Sequence, residues 1–433
     1  MSNVAVVVLD TVRYDSFEEH FQWLDGVRFT DVYSTSHWTV PAHASLFTGE
    51  YASDVGVTGR SPTLACEERT LAEDFQDAGY HTRCLSANAQ LNQYEGWDRG
   101  FDEFVRTPNL GRTDERILDW EGHIRETEPG IRRNLTGMLR CLTDDVDTVR
   151  SLRYGLDLFR RPRYDGGTKS VRRRIANTEF GDDEFLFCNL MEAHTPYRPP
   201  PGESEAVSVV VAEALADTVD DPDRIREAYR TSVRYLSREY RKLHAELLES
   251  FDYVVTLSDH GELLGEYGLW NHSIGLHPEL VRVPAVVTGA DIEPGRVRDP
   301  VSLLDFHRTI ADLAEVPVDS AGRNALDDPE PRDLLLESHG LLPWHSGQFE
   351  RHGLPESEFE RWRTPLFGFV GPDGAYCYEP APGELRVVGE MEVDDPESRL
   401  RELTDELDTQ DPDEDGPEVS EEVKRRLEEL GYA

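Results

Sequence analysis

Two apolar runs in this chain each end in a carboxylate. Residues 4–9 (VAVVVL) run into Asp10-Thr11, and residues 253–257 (YVVTL) run into Ser258-Asp259-His260-Gly261-Glu262. In open α/β sheets, ligands bind beyond the carboxyl ends of the strands. Two carboxylates and an imidazole converging there are a donor set for a divalent cation. Asp10 alone reads first as a turn or cap residue; the Asp-His-Gly run after a second buried strand is more specific. A third element is Trp38-Thr39-Val40-Pro41-Ala42-His43-Ala44-Ser45-Leu46-Phe47-Thr48-Gly49. Pro41 opens a short helix, and Thr39 lies just before it. The free N–H groups and positive dipole end of such a helix favour an anion beside the Thr39 hydroxyl. That placement suits a nucleophile attacking a phosphoryl or sulfuryl centre. The plainer reading of Thr39 is a helix cap.

The elements that must position these residues follow from patterning. Residues 4–9 read as a buried parallel strand, and 27–33 as a second. Helices are predicted over 42–47, closed by Gly49, and over 70–78, stopped at Gly79. Strands follow at 82–85, 184–191, 253–257 and 281–287, with helix over 206–250 and 303–313. This alternation predicts an α/β fold with a doubly wound, mostly parallel sheet. From about 112 to 177 arginines are dense and strand signals vanish, which predicts a helical insertion. Residues 1–317 then form the catalytic domain. Residues 318–433 form a small C-terminal α+β subdomain with strand-like pieces at 366–370 and 375–378. An acidic solvated linker over 392–418 and a terminal helix over 419–430 complete it.

Composition narrows the partners. The 433 residues carry 45 Lys+Arg against 86 Asp+Glu, a formal charge of −41. Nucleic acid and anionic membrane are therefore not expected partners. With 38% hydrophobic residues the chain reads as folded, with an acid-coated surface. Lysine occurs only at 169, 242 and 424. Such a surface suits a halophilic setting, where salt screens self-repulsion. The five scattered cysteines read as thiols of a reducing compartment. No signal peptide or transmembrane stretch is read, so a cytoplasmic protein is expected.

With these motifs in hand, a resemblance is plain. Val8-Leu9-Asp10-Thr11-Val12-Arg13-Tyr14-Asp15 resembles the opening strand of sulfatases, in the alkaline phosphatase superfamily. Thr39 to Gly49 resembles their signature. Met191-Glu192-Ala193-His194-Thr195-Pro196-Tyr197-Arg198-Pro199-Pro200 is similar to their histidine-containing substrate loop. Ser258 to Gly268 resembles their second metal segment, followed by Arg282-Val283-Pro284. Residues 301–317 resemble the segment closing the family's main domain. The similarity runs in order over about three quarters of the chain.

The departures carry the functional reading. Sulfatases begin the signature with Cys or Ser, converted to formylglycine. Thr39 bears a β-methyl, so oxidation cannot give an aldehyde, and no formylglycine is expected. His43 replaces the signature arginine, His260 replaces an Asn or Gln, and the family's Lys-x-His segment has no counterpart. These replacements resemble the phosphoryl-transferring relatives, where a threonine is the nucleophile. The resemblance then implies Asp10, Thr39, Asp259 and His260 as ligands of a divalent metal, Zn²⁺ or Mn²⁺, with Ca²⁺ or Mg²⁺ as alternatives. It implies catalytic or substrate-binding roles for His194 and His272, with His277 as the rival of His272. His43 divides evenly between packing and facing the substrate. The expected activity is a hydrolase or transferase of phosphate esters through a covalent Thr39 intermediate, on a small anionic ester or glycan-type substrate. Two other readings stay open: a sulfuric ester hydrolase using unmodified Thr39, and an inactive anion-binding scaffold.

Overall fold

The computed structural model describes residues 2–59, 61–106, 131–143, 146–152, 166–200, 202–327, 331–342 and 345–409, together with 118, 120, 123 and 155. Val4–Leu9 (β1) is buried at every position. A strand apolar on both faces needs cover on both. Val4, Val6 and Val8 pack into one core with Leu46, Phe47, Phe75 and Phe306. Ala5, Val7 and Leu9 face the opposite core, with Phe17, Tyr229, Leu236 and Tyr240. Each fully buried side chain of this size contributes roughly 1.5–3 kcal/mol.

β1 lies inside a nine-stranded sheet. The other strands are Val27–Tyr33 (β2), His81–Ser86 (β3), Glu103–Arg106 (β4), Glu184–Leu190 (β5), Tyr253–Leu257 (β6), Arg282–Gly289 (β9), Gly295–Val297 (β10) and Val301–Ser302 (β11). The order is β10-β2-β9-β6-β1-β5-β3-β4, with β11 also pairing β2. Within this sheet β9 is antiparallel to both neighbours, while the remaining pairings are parallel. β7 (Leu263–Leu264) and β8 (Trp270–Asn271) pair separately, just beyond β6.

The register decides what meets at the sheet's end. Leu9 pairs with Leu190 of β5, and Val8 with Leu257 of β6. Asp10, Met191 and Ser258-Asp259 therefore emerge side by side. After a first short helix, Tyr14–His20 (α1), helix α2 (Thr39–Thr48) begins at this same end of the sheet and is buried throughout. It stops at Gly49, whose φ of +75° places it in the left-handed region. A Cβ there would lie 2.6 Å from His307 Nδ1 and 2.7 Å from Ser320 Oγ. Gly49→Ala is therefore expected to destabilise the fold by about 2–3 kcal/mol. A urea midpoint that does not fall, at unchanged slope, would contradict this.

The second sheet is antiparallel: Leu334–Ser338 (β12), Leu366–Val370 (β13), Tyr376–Tyr378 (β14) and Arg386–Val388 (β15). Leu336, Val370, Tyr376 and Tyr378 pack against Tyr33, Leu276 and Leu280 of the first part of the chain. Leu335, Phe369 and Cys377 cover the helix Pro396–Asp405 through Leu400 and Leu403. Part of the span read as a solvated acidic linker is thus a docked helix. Asp395 caps it, Pro396 opens it, and its two buried leucines three apart were outweighed by the surrounding acids. The expected terminal helix over 419–430 lies outside the described residues.

The helix expected over 206–250 is also interrupted. Val207 bridges Tyr197, a short helix spans Val211–Leu215, and the long helix Pro222–Leu247 starts only after Asp221. Pro222 sets that boundary, since its ring suits a first helical turn and not an interior. In the insertion, Ile131–Thr143 and Thr168–Ile175 are helices, and most of the rest lies outside the described residues. Among the described residues no helix is long and apolar enough to cross a membrane.

Candidate active site

Three strand ends and one helix start build the site. Asp10 follows β1, Asp259 and His260 follow β6, His194 follows β5, and Thr39 is the first residue of α2. Thr39 therefore sits one position inside the helix, with Trp38 at the cap. The backbone after Asp10 turns sharply: Thr11 has a φ of +64°, a conformation β-branched residues seldom adopt. Tertiary bonds hold it there. The Thr11 amide donates to Asp259 Oδ1 at 3.3 Å, and the Tyr229 hydroxyl donates to the Thr11 carbonyl at 2.9 Å.

Asp10, Asp259 and His260 are fully buried, and one donor atom from each lies within 4.8 Å of the others. The Thr39 hydroxyl stands 3.3 Å from His260 Nε2. The His260 ring is oriented from behind: Nδ1 lies 2.9 Å from the Gly261 carbonyl, so Nδ1 carries the proton and Nε2 presents its lone pair to the centre. Asp259 Oδ2 accepts no hydrogen bond despite its burial. It lies 3.5 Å from both His260 Nε2 and His43 Nδ1.

Asp10 is held by amides. Asn88 and Asn189 donate to its Oδ2 at 2.8 and 3.3 Å, and the Thr11 hydroxyl donates to Oδ1 at 2.8 Å. Asn88 Nδ2 also reaches the Thr39 hydroxyl at 3.5 Å. His43, one turn into α2, donates from Nδ1 to the Thr39 carbonyl at 2.9 Å and accepts from Asn189 at Nε2. It therefore belongs to the network around the centre, while its ring edge also packs on Phe187. Asn88 and Asn189 were not singled out from sequence. Asn88, two residues past β3, carried the one signal available, a polar residue at a strand's carboxyl end.

The electrostatics are those of a crowded donor set. Burial pushes the Asp10 carboxyl up, but His194, His260, His43 and the Thr11 hydroxyl outweigh it and leave the group below its ordinary value. Burial, reinforced by neighbouring Asp10, holds Asp259 well above the usual carboxylate range. Burial lowers His43 and His260 to about 4. Two buried carboxylates a few ångströms apart do not both ionise readily without a cation between them. The orphaned Asp259 oxygen and the aimed His260 lone pair fit a divalent ion.

The other histidines sort by distance. His272 packs 4.5 Å from the His260 ring and His194 lies 4.9 Å from His272, centroid to centroid. His272 Nδ1 lies 3.0 Å from Glu262 Oε1, and the Tyr197 hydroxyl donates to Glu262 Oε2 at 2.8 Å. Burial holds His272 well below its ordinary value and Glu262 well above. His277 instead stacks on Tyr267 at 4.2 Å and packs against Tyr378. Its ring joins the contact with the second sheet rather than the group around Asp10.

Comparisons with known proteins extend this picture. The chain is 25% identical over 344 residues to an uncharacterised sulfatase, YidJ, of Escherichia coli, covering 72% of this chain and 66% of that protein. It is 25% identical over 319 residues to a choline-sulfatase of Rhizobium meliloti, covering 68% and 62%. The chain thus spans somewhat under two thirds of the length of these curated relatives. In fold it is similar to the phosphonate monoester hydrolase SpPMH of Silicibacter pomeroyi, with a TM-score of 0.64 at 17% identity over 94% of both chains. The sulfatase family model matches residues 2–316, which hold Asp10, Thr39, His194, Asp259, His260 and His272, so the chain belongs to the sulfatase family.

Proposed function

We propose that this protein cleaves or transfers phosphate esters through a covalent Thr39 intermediate, with a divalent metal held by Asp10, Thr39, Asp259 and His260. The observation that carries this reading is the Thr39 hydroxyl, 3.3 Å from His260 Nε2 at a buried helix N-terminus beside two carboxylates. Zn²⁺ or Mn²⁺, and alternatively Ca²⁺ or Mg²⁺, would supply Lewis acidity and stabilise an ionised Thr39 oxygen. Thr39 Oγ1 then forms a bond to phosphorus while the phosphorus–oxygen bond to the leaving alcohol breaks. Water, or an acceptor alcohol, displaces phosphate from Thr39 in a second step. In this reading His194 and His272 bind equatorial oxygens or hand a proton to the leaving oxygen. The name of the SpPMH neighbour, a phosphonate monoester hydrolase, supports a phosphorus centre.

The second reading is sulfuric ester hydrolysis by unmodified Thr39, favoured by the choline-sulfatase relative. A small anionic ester is the substrate class in either case. A reducing, cytoplasmic setting is part of this proposal, in keeping with the scattered, odd number of cysteines in the sequence. The deciding experiment is turnover of an aryl phosphate monoester, an aryl phosphodiester and an aryl sulfate by metal-loaded protein in high salt. Phosphate-ester turnover that chelation abolishes is the expected result. Turnover of the sulfate alone would transfer the assignment to the second reading. No turnover of any would favour the inactive anion-binding scaffold.

A further inference from the structure

The insertion after β4 carries a surface that the site does not use. Its helix Ile131–Thr143 holds Leu135, Met138, Leu139 and Leu142 at spacings of three and four, one row down a single face. These four side chains are 60, 45, 57 and 66% exposed. The row is not the face by which the helix is seated. Cys141 is buried with Leu118 and Trp120, and a Cβ on Gly137 would lie 2.2 Å from the Trp120 ring. The helix thus docks inward through Gly137 and Cys141 and turns four large aliphatic side chains outward. A contiguous apolar row of this kind marks a contact surface.

The charge of this segment is opposite to that of the rest. Residues 131–174 carry 12 Lys+Arg against five Asp+Glu, while the remainder of the chain carries 33 against 81. The helix itself has Arg132, Arg133 and Arg140 and no carboxylate. An apolar row on an arginine-bearing helix is the pattern of a helix lying in the plane of an anionic lipid surface. The chain as a whole is repelled by such a surface. Salt confines that repulsion to charges within about 8–10 Å, so the segment that touches the surface decides. A protein partner fits less well. None of the four exposed residues is Trp, Tyr or Arg, the types that anchor protein interfaces. The stems of the insertion also have a definite place. β4 is parallel to β3, β3 to β5 and β5 to β1, so the chain leaves the sheet at the Asp10 end. It returns there at Gly166, whose carbonyl accepts from the Met191 amide at 2.7 Å.

We propose that the exposed row of the helix Ile131–Thr143 is a docking surface by which the chain binds an anionic lipid bilayer peripherally. The four aliphatic side chains enter the boundary between headgroups and acyl chains, and the arginine-rich segment meets the lipid phosphates. The inference is independent of the ester chemistry proposed for Thr39.

The test is co-sedimentation of the full chain with vesicles of phosphatidylglycerol and, separately, of phosphatidylcholine. It is run over a salt series that starts at the lowest salt where circular dichroism shows the native fold. Binding to phosphatidylglycerol is expected, at least about 10-fold tighter than to phosphatidylcholine and weakening as salt rises. Leu139→Ser together with Leu142→Ser changes two exposed side chains, so the thermal midpoint is expected to hold. The same double variant is expected to bind the anionic vesicles at least about 10-fold more weakly. No binding to either vesicle, equal binding to both, or a double variant that binds as the unmutated chain does overturns the proposal. Self-association in sedimentation velocity that the double variant abolishes, without vesicle binding, also overturns it and assigns the row to a second copy of the chain.

Discussion

Thr39→Ala is expected to lower turnover of the best ester substrate by roughly 10⁴-fold or more, the scale seen when a covalent nucleophile is deleted. The loss is large because several features aim at one oxygen. α2 presents its N-terminal amides and dipole at the Thr39 end. His260 Nε2 and the Asn88 amide stand 3.3 and 3.5 Å from the hydroxyl. Removing the oxygen leaves these groups converging on nothing, while the buried helix loses only a small side chain. Thr39→Ser restores a hydroxyl at the same atom and is expected to recover most of the rate. Quenched steady-state turnover followed by mass spectrometry should find the transferred group on Thr39. Undiminished turnover in Thr39→Ala would end the nucleophile assignment.

Asp259→Ala is expected to cut bound metal and activity together, by at least about 10–100-fold in metal affinity, since that range already applies to residues that only orient a ligand. Asp259 is singled out because its Oδ2 is buried with no hydrogen bond, so its burial makes sense chiefly with a cation beside it. Asn88→Ala is the graded control. It removes a 2.8 Å bond to Asp10 without removing a donor from the cluster, and a smaller loss, near 10-fold, is expected. Metal content by elemental analysis after dialysis is the direct readout. Thermal unfolding with and without chelator gives a second, because an ion bound only by the folded chain at 100 times its dissociation constant adds about 2.7 kcal/mol. Equal metal in Asp259→Ala and the unmutated chain would remove the metal site.

Much of this site was legible before any fold was known, and for a definite reason. A strand buried on both faces must be apolar throughout, so 4–9 and 253–257 announce themselves, and the first polar residues after them mark the sheet's carboxyl end. Asp10, Asp259 and His260 were visible on that ground. Thr39 was visible because Pro41 and Gly49 bracket a short helix. The residues around them were less so. Asn189 lies inside β5 with no local mark to tell it from other polar residues, and Asn88, two residues past β3, has only its place at a strand's carboxyl end. His37 reads as packing, and only its contact with the His272 carbonyl fixes which ring nitrogen carries the proton. His272 and His277 lie five residues apart in one segment, and spacing does not separate them. The turn at Tyr267 and Asn271, both at positive φ, brings His272 beside His260 and leaves His277 on Tyr267.

Sequence alone thus determined the buried strands that end in Asp10 and Ser258, the presence of a short helix around Pro41 though not its start at Thr39, the identity of the chemical groups and the end of the sheet where they lie, because periodicity and capping are local properties of the chain. Tertiary structure decided which groups meet. Placing β1 between β5 and β6 brings Thr11 to Asp259 across 248 residues. Register then selects which side chain at each strand end faces the shared centre. Strand order and register depend on packing between distant segments, and no local pattern encodes them.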